Sequence, residues 1–175
     1  MKIKRIRGRR NLAVVTAMIL SGLLSITVYA GEWVETESNS WQYIENTDLT
    51  TGWKEMEGHW YYFDSDGIMQ TGWIKDENNN QWYYLNKNTG VWESKPVMDE
   101  TTAVHLLENA LIRVNLYQDE ELPLLYKVNE VTKDNIKVSV GTEKLPEVFS
   151  TINIYEIDKK TGEAKAVVGD DLSLY

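Results

Sequence analysis

Seven tryptophans, Trp33, Trp41, Trp53, Trp60, Trp73, Trp82 and Trp92, all fall within residues 31–92. Trp33, Trp53, Trp73 and Trp92 follow one another at 20, 20 and 19 residues, and Trp41, Trp60 and Trp82 interleave at 19 and 22. Spacing this regular marks an internal repeat with units 31–51, 52–71 and 72 to about 92. Indole and phenol rings with few aliphatic neighbours make a poor packed interior and a good flat or cage-like binding surface. One other spacing could do chemistry: His105 and Glu108 lie three apart on an expected helix, a separation that can ligate a metal. No second histidine motif supports it, since His59 lies in the repeats, so a partly exposed helix face is the expectation and no metal is assigned. The chain has no cysteine, which removes thiolate metal sites, disulfides, cysteine nucleophiles and a lipidated cysteine anchor. Neither a nucleophile elbow nor a phosphate loop occurs, so no catalytic residue and no cofactor are expected.

Each repeat unit reads as a hairpin. In the second, a strand around Gly52-Trp53-Lys54 leads to a turn at Met56-Glu57-Gly58, then to Trp60-Tyr61-Tyr62-Phe63, and Asp64-Ser65-Asp66-Gly67 is a further turn signal. The third repeats this with Trp82-Tyr83-Tyr84-Leu85 and Asn86-Lys87-Asn88-Thr89-Gly90. Strand alternation puts Trp60 and Tyr62 on one face and Tyr61 and Phe63 on the other. Tyr61, Phe63, Tyr83 and Leu85 are expected in the core and the tryptophans at the ligand. A lone hairpin cannot bury its apolar face, so units of this size are expected to stack as a solenoid.

The pattern GW…GxWYYFDxxGxMxTGW, cleanest over residues 52–73, resembles the choline-binding, or cell-wall-binding, repeats of Gram-positive surface proteins and phage lysins. The resemblance covers residues 31–92. It implies recognition of the choline of teichoic acid, each site taking two Trp from one repeat and a Tyr from the next, often with a Met nearby. A quaternary ammonium has no hydrogen-bond donors and is recognised by π-faces, at roughly 0.5–2 kcal/mol per contact. Carried onto this chain, the best site uses Trp53 and Trp60 with Tyr84 and Met69. A second uses Trp33 and Trp41 with Tyr62, and departs from the pattern by reading Trp41-Gln42-Tyr43 and by placing Leu49 where the second unit has Met69. Trp73 and Trp82 of the third unit lack a following Tyr, so that site is expected to be open or completed by another chain. Similar repeats that bind glucan or other carbohydrate give the alternative ligand.

Residues 1–10 are basic and residues 12–28 largely apolar, followed by Val28-Tyr29-Ala30, which reads as a secretory signal cut before Gly31. The membrane is therefore expected to be met only through this segment. The formal charge is −9, and those first thirty residues carry six of the 18 basic side chains and no acid. Without them 12 basic residues face 27 acidic ones, a net of −15, which argues against nucleic-acid partners. Absence of cysteine in an exported chain and of an LPxTG-like sorting motif point to noncovalent retention on a Gram-positive cell wall.

After a linker at 94–98, the carboxyl-terminal half shows helical periodicity over 99–117, with Val104, Leu107, Leu111 and Val114 on one stripe and Asp99, Glu100 and Thr101 as entry signals. Strand-like runs follow at 124–131, 135–140, 151–157 and 163–168, the last two joined by Asp158-Lys159-Lys160-Thr161-Gly162. The acidic run Asp119-Glu120-Glu121 reads as a solvated helix end. Residues 154–163 resemble the end of a PepSY-type domain, which implies a binding role, here toward a surface protein or peptide. The expected fold is therefore mainly β: a signal peptide at 1–30, an amino-terminal solenoid of stacked β-hairpins (three aromatic repeats) at 31–93, and a separable small α+β domain, one helix on an antiparallel sheet, at 99–175. The expected function is that of a secreted noncatalytic protein binding choline-decorated teichoic acid or another cell-wall polysaccharide. The rival is a small wall-active enzyme anchored by the repeats.

Overall fold

A computed structural model of the chain describes residues 31–117 and 122–175. The expected signal segment and the run Asp119–Glu121 lie outside the described residues. Among the described residues the fold is mainly β, with antiparallel sheets and one helix. The contacts of the described residues group into two compact units, one including residues 31–72 and 85–92, the other Trp73–Tyr84 with residues from Glu93 on.

In the first unit, β1 (Glu32–Glu35) pairs antiparallel with β2 (Trp41–Glu45), and β3 (Asp48–Leu49) adds to β2. β4 (Gly52–Met56) and β5 (His59–Phe63) form a second hairpin with Trp53 opposite Tyr62 and Glu55 opposite Trp60. Its two-residue turn has Glu57 at φ 52° and Gly58 at φ 79°, the doubly left-handed geometry whose twist matches paired strands. After β5 the Asp64 carboxylate accepts the N–H groups of Asp66 (3.0 Å) and Ile68 (2.9 Å), and Asn86 Oδ1 does the same for Asn88 (2.9 Å) and Thr89 (3.1 Å). Short polar side chains thus close both turns where the sequence placed them. Phe63 and Leu85 are fully buried.

β6 (Gly72–Asp76), β7 (Gln81–Leu85) and the two-residue β8 (Trp92–Glu93) form a further sheet, of which residues 73–84 and Glu93 belong to the second unit. Helix α1 (Glu100–Arg113) follows, its amino terminus capped by Asp99, whose carboxylate accepts the Thr102 N–H at 2.8 Å. The helix ends earlier than its periodicity predicts. Val114 is the cap residue and 51% exposed, and Asn115 and Tyr117 adopt φ of 54° and 59°, which breaks the α-helical path. Ala103, Leu106, Leu107, Ala110 and Leu111 pack on a five-stranded antiparallel sheet ordered β13-β12-β11-β10-β9. Its strands are β9 (Leu125–Val131), β10 (Asn135–Leu145), β11 (Val148–Asp158), β12 (Glu163–Ala166) and β13 (Leu172–Ser173). Ile136, Val138, Val140, Tyr155, Ile157, Ala164, Leu172 and Leu174 complete the core.

Two strands run beyond the residues their apolar pattern marks. β10 and β11 continue past a register shift at Val140/Gly141. A side chain at Gly141 would put Cβ 2.3 Å from the Ser150 carbonyl oxygen, so the pairing there needs glycine. The expected linker is also part of the fold: Pro96 and Met98 are buried, Met98 within the helix–sheet core. The division of the chain accordingly falls inside the third repeat, and residues 73–84 group with the helix and sheet.

Candidate functional site

Trp33 and Trp41 sit on the first hairpin with ring centroids 6.5 Å apart and planes 80° to one another. Tyr43, directly opposite Trp33 in the β1–β2 register, lies at 5.2 Å. The second hairpin repeats this arrangement: Trp53 and Trp60 are 6.5 Å apart at 73°, with Tyr62 opposite Trp53 at 5.2 Å. In the third hairpin Tyr84 lies 5.3 Å from Trp73. Residues two apart on one strand and opposite a third on its partner share a face, so a twenty-residue period reproduces the same aromatic corner. The first two corners are open, since Trp33 and Trp41 are each 37% exposed and Trp60 41%.

The ring that reaches Trp33 from the next hairpin is Tyr61, at 5.3 Å, with Phe63 beside it at 5.8 Å. Tyr62, which strand parity proposed for this place, lies on Trp53 of its own hairpin, and Tyr84 occupies the corresponding place on Trp73. β5 therefore uses both faces: Trp60 and Tyr62 face Trp53, while Tyr61 and Phe63 turn back toward Trp33. Met69 also reaches the first hairpin. Its N–H donates to the Trp41 carbonyl at 2.7 Å, and its side chain lies so close to Gly90 that a Cβ there would fall 2.5 Å from Sδ. The structure thus brings Trp33, Trp41, Tyr61 and Met69 together.

The third corner is occupied from within the chain. His105 of α1 stacks on Trp82 with centroids 3.9 Å apart and planes 27° off parallel, and lies 4.8 Å from Trp73. Glu108, one turn on, accepts the Trp82 indole N–H at 2.9 Å through one carboxylate oxygen and pairs with Lys75 at 2.8 Å through the other. The Lys75 ammonium itself stands 5.3 Å above the Trp82 ring. Buried Asn109 clasps the Trp82 main chain, accepting its N–H at 2.7 Å and donating to its carbonyl at 2.8 Å. The helix face expected to be partly exposed is half-buried at His105 and Glu108, where it makes a polar contact with the third hairpin. Its signal in the sequence was three polar residues, His105, Glu108 and Asn109, on neighbouring positions of a helix with a well-defined apolar stripe.

Burial holds the His105 imidazole below its ordinary range; Lys75 pushes the same way, and Glu108 and Asp99 oppose. With the folded value depressed, the unfolded chain binds the extra proton. The contribution of this group is therefore full above the unfolded value of about 6.5 and declines as pH falls from there toward the folded value. Urea unfolding of the described unit should show a lower midpoint at pH 5.5 than at pH 7.5, and His105→Phe, which keeps a ring in place, should flatten that difference. An unchanged slope in His105→Phe would assign the pH dependence to other groups.

Residues 50–92 match the family model described as the choline-binding repeat. The repeat resemblance read from the sequence is thereby met over the second and third hairpins. Among solved structures, CbpJ from Streptococcus pneumoniae TIGR4 is 34% identical over 41% of this chain and 24% of its own, with a TM-score of 0.36. The choline binding domain of Spr1274 from Streptococcus pneumoniae is 29% identical over 37% of this chain and 94% of that domain, with a TM-score of 0.32. Choline binding protein F from Streptococcus pneumoniae is 19% identical over 78% of this chain and 35% of its own, with a TM-score of 0.35. The chain thus spans about a quarter and about a third of the lengths of CbpJ and choline binding protein F. No curated protein matches the chain.

Proposed function

We propose that the first two hairpins are quaternary-ammonium sites, and that the protein is exported and held noncovalently on choline-decorated teichoic acid of a Gram-positive wall without catalysing a reaction. The observation that carries this reading is the open corner of Trp33 and Trp41 with Tyr61 closing a third side. Two ring faces near 80° suit a tetrahedral trimethylammonium, whose methyl groups point in several directions and need no hydrogen-bond acceptor. A pyranose ring is flat and stacks on a single platform, so the corner favours the cation over the carbohydrate alternative. Solenoid stacking of the hairpins would add avidity, because a polymer bearing many cholines raises the local ligand concentration for every further site.

The purified protein should be retained on a choline resin through several hundred millimolar NaCl and released by free choline. Trp33→Ala, Trp41→Ala and Tyr61→Ala should each weaken choline binding roughly 2- to 30-fold, the equivalent of about 0.5–2 kcal/mol per lost face, while Tyr61→Phe should bind nearly as the parent does. Indifference to choline together with elution by a soluble glucan would replace this reading with the carbohydrate one.

A further inference from the structure

The third aromatic corner differs from the other two in being filled. The His105 ring lies almost flat on Trp82 and close to Trp73, and its Nδ1 is buried with no hydrogen-bond partner among the described residues. Both oxygens of Glu108 are engaged by Trp82 and Lys75, so the carboxylate holds the indole and the lysine in place. Asn109 fixes the backbone of Trp82 from the next position on the helix.

We infer that the Trp73–Trp82 corner is a binding site for a planar heteroaromatic ring which the chain occupies with its own His105, and that an external quaternary ammonium is excluded from it while α1 is docked. Three features carry the assignment. The ring stacks on Trp82 through one face and is flanked by Trp73 at 57°, as a ligand in an aromatic corner is. Around the stack Glu108, Lys75, Asn109 and the polar groups of Trp82 satisfy one another, which holds the ring-bearing turn of the helix against the corner. The ligand is also tethered: His105, Glu108 and Asn109 come from one helical turn of the same chain, so their effective concentration at the corner exceeds what a free millimolar ligand supplies. The third repeat thus serves as a dock for the carboxyl-terminal helix and sheet.

The comparison with the first two corners rests on the proposed choline reading, but the test separates the two. In the full chain, NMR of the side chains should show the His105 ring protons displaced upfield by the indole faces and unmoved by choline that shifts Trp33 and Trp41. In His105→Ala, the Trp73 and Trp82 resonances should move on titration with imidazole, saturably, whereas in the parent imidazole leaves them in place. His105 resonances that travel with choline in step with Trp33 would overturn the exclusion, and a His105→Ala protein whose Trp73 and Trp82 ignore imidazole would overturn the site. If that variant does not fold, the parent titration alone decides. A protein in which no tryptophan responds to choline, while His105 stays upfield and imidazole enters the variant, would remove the choline reading and leave the dock standing.

Discussion

Residues 97–175 expressed alone will be far less stable than residues 72–175 and melt at a clearly lower temperature. The shorter fragment keeps the whole five-stranded sheet and α1, so the difference has to come from the residues it lacks. Removing residues 73–84 uncovers the edge of the core on which Trp73 packs, strips both main-chain bonds from buried Asn109, and leaves Glu108 without Lys75 or the Trp82 indole. Hydrogen bonds of this kind contribute about 0.5–1.5 kcal/mol each, and burial of an aromatic side chain such as Trp73 a few kcal/mol more. The loss is on the order of 5 kcal/mol, against a total stability of about 5–15 kcal/mol for an ordinary domain. Circular dichroism melts and amide dispersion of the two fragments provide the comparison. Equal melting temperatures would show that the hairpin is a passenger on the domain and that the boundary belongs near residue 97 after all.

Asn109→Ala should destabilise the unit of residues 73–84 and 93–175 by about 2–4 kcal/mol, more than any substitution of an exposed residue on the same helix. The side chain is 7% exposed and forms both its bonds to one peptide unit pair, at 2.7 and 2.8 Å. Truncation leaves the Trp82 N–H and carbonyl unsatisfied, and each such group costs about 1–3 kcal/mol where water cannot replace the partner. Asn109→Asp sharpens the test. The carboxylate can still accept from the Trp82 N–H, but it cannot donate to the Trp82 carbonyl and brings a charge into a buried place. It should therefore be no better than alanine at pH 7. Denaturant midpoints for the three proteins measure this, and an Asn109→Asp variant as stable as the parent would show that the clasp is open to water.

The local structure of this protein was legible from its sequence because local structure answers to nearby residues. The Trp period reports hairpins, since a strand face and a short turn recur every twenty residues, and the Glu57-Gly58 and Asp64–Gly67 signals name their turns through backbone preferences that need no distant partner. Asp99 was readable as a helix start for the same reason. Strand parity put Trp60 and Tyr62 on one face of β5, and both rings lie against Trp53. What parity leaves open is the neighbour each face meets. That Tyr61 meets Trp33 follows from how two hairpins pack, and both faces of β5 were aromatic enough to serve. The tertiary structure alone decided the third repeat. His105, Glu108 and Asn109 reach partners 23 to 33 positions away in the chain, and nothing in a helical period distinguishes a polar residue facing water from one whose bonds are completed by a distant hairpin. Burial of Glu108 and Asn109 is tolerated because Trp82 and Lys75 satisfy them, so their role became visible when the partners were in place.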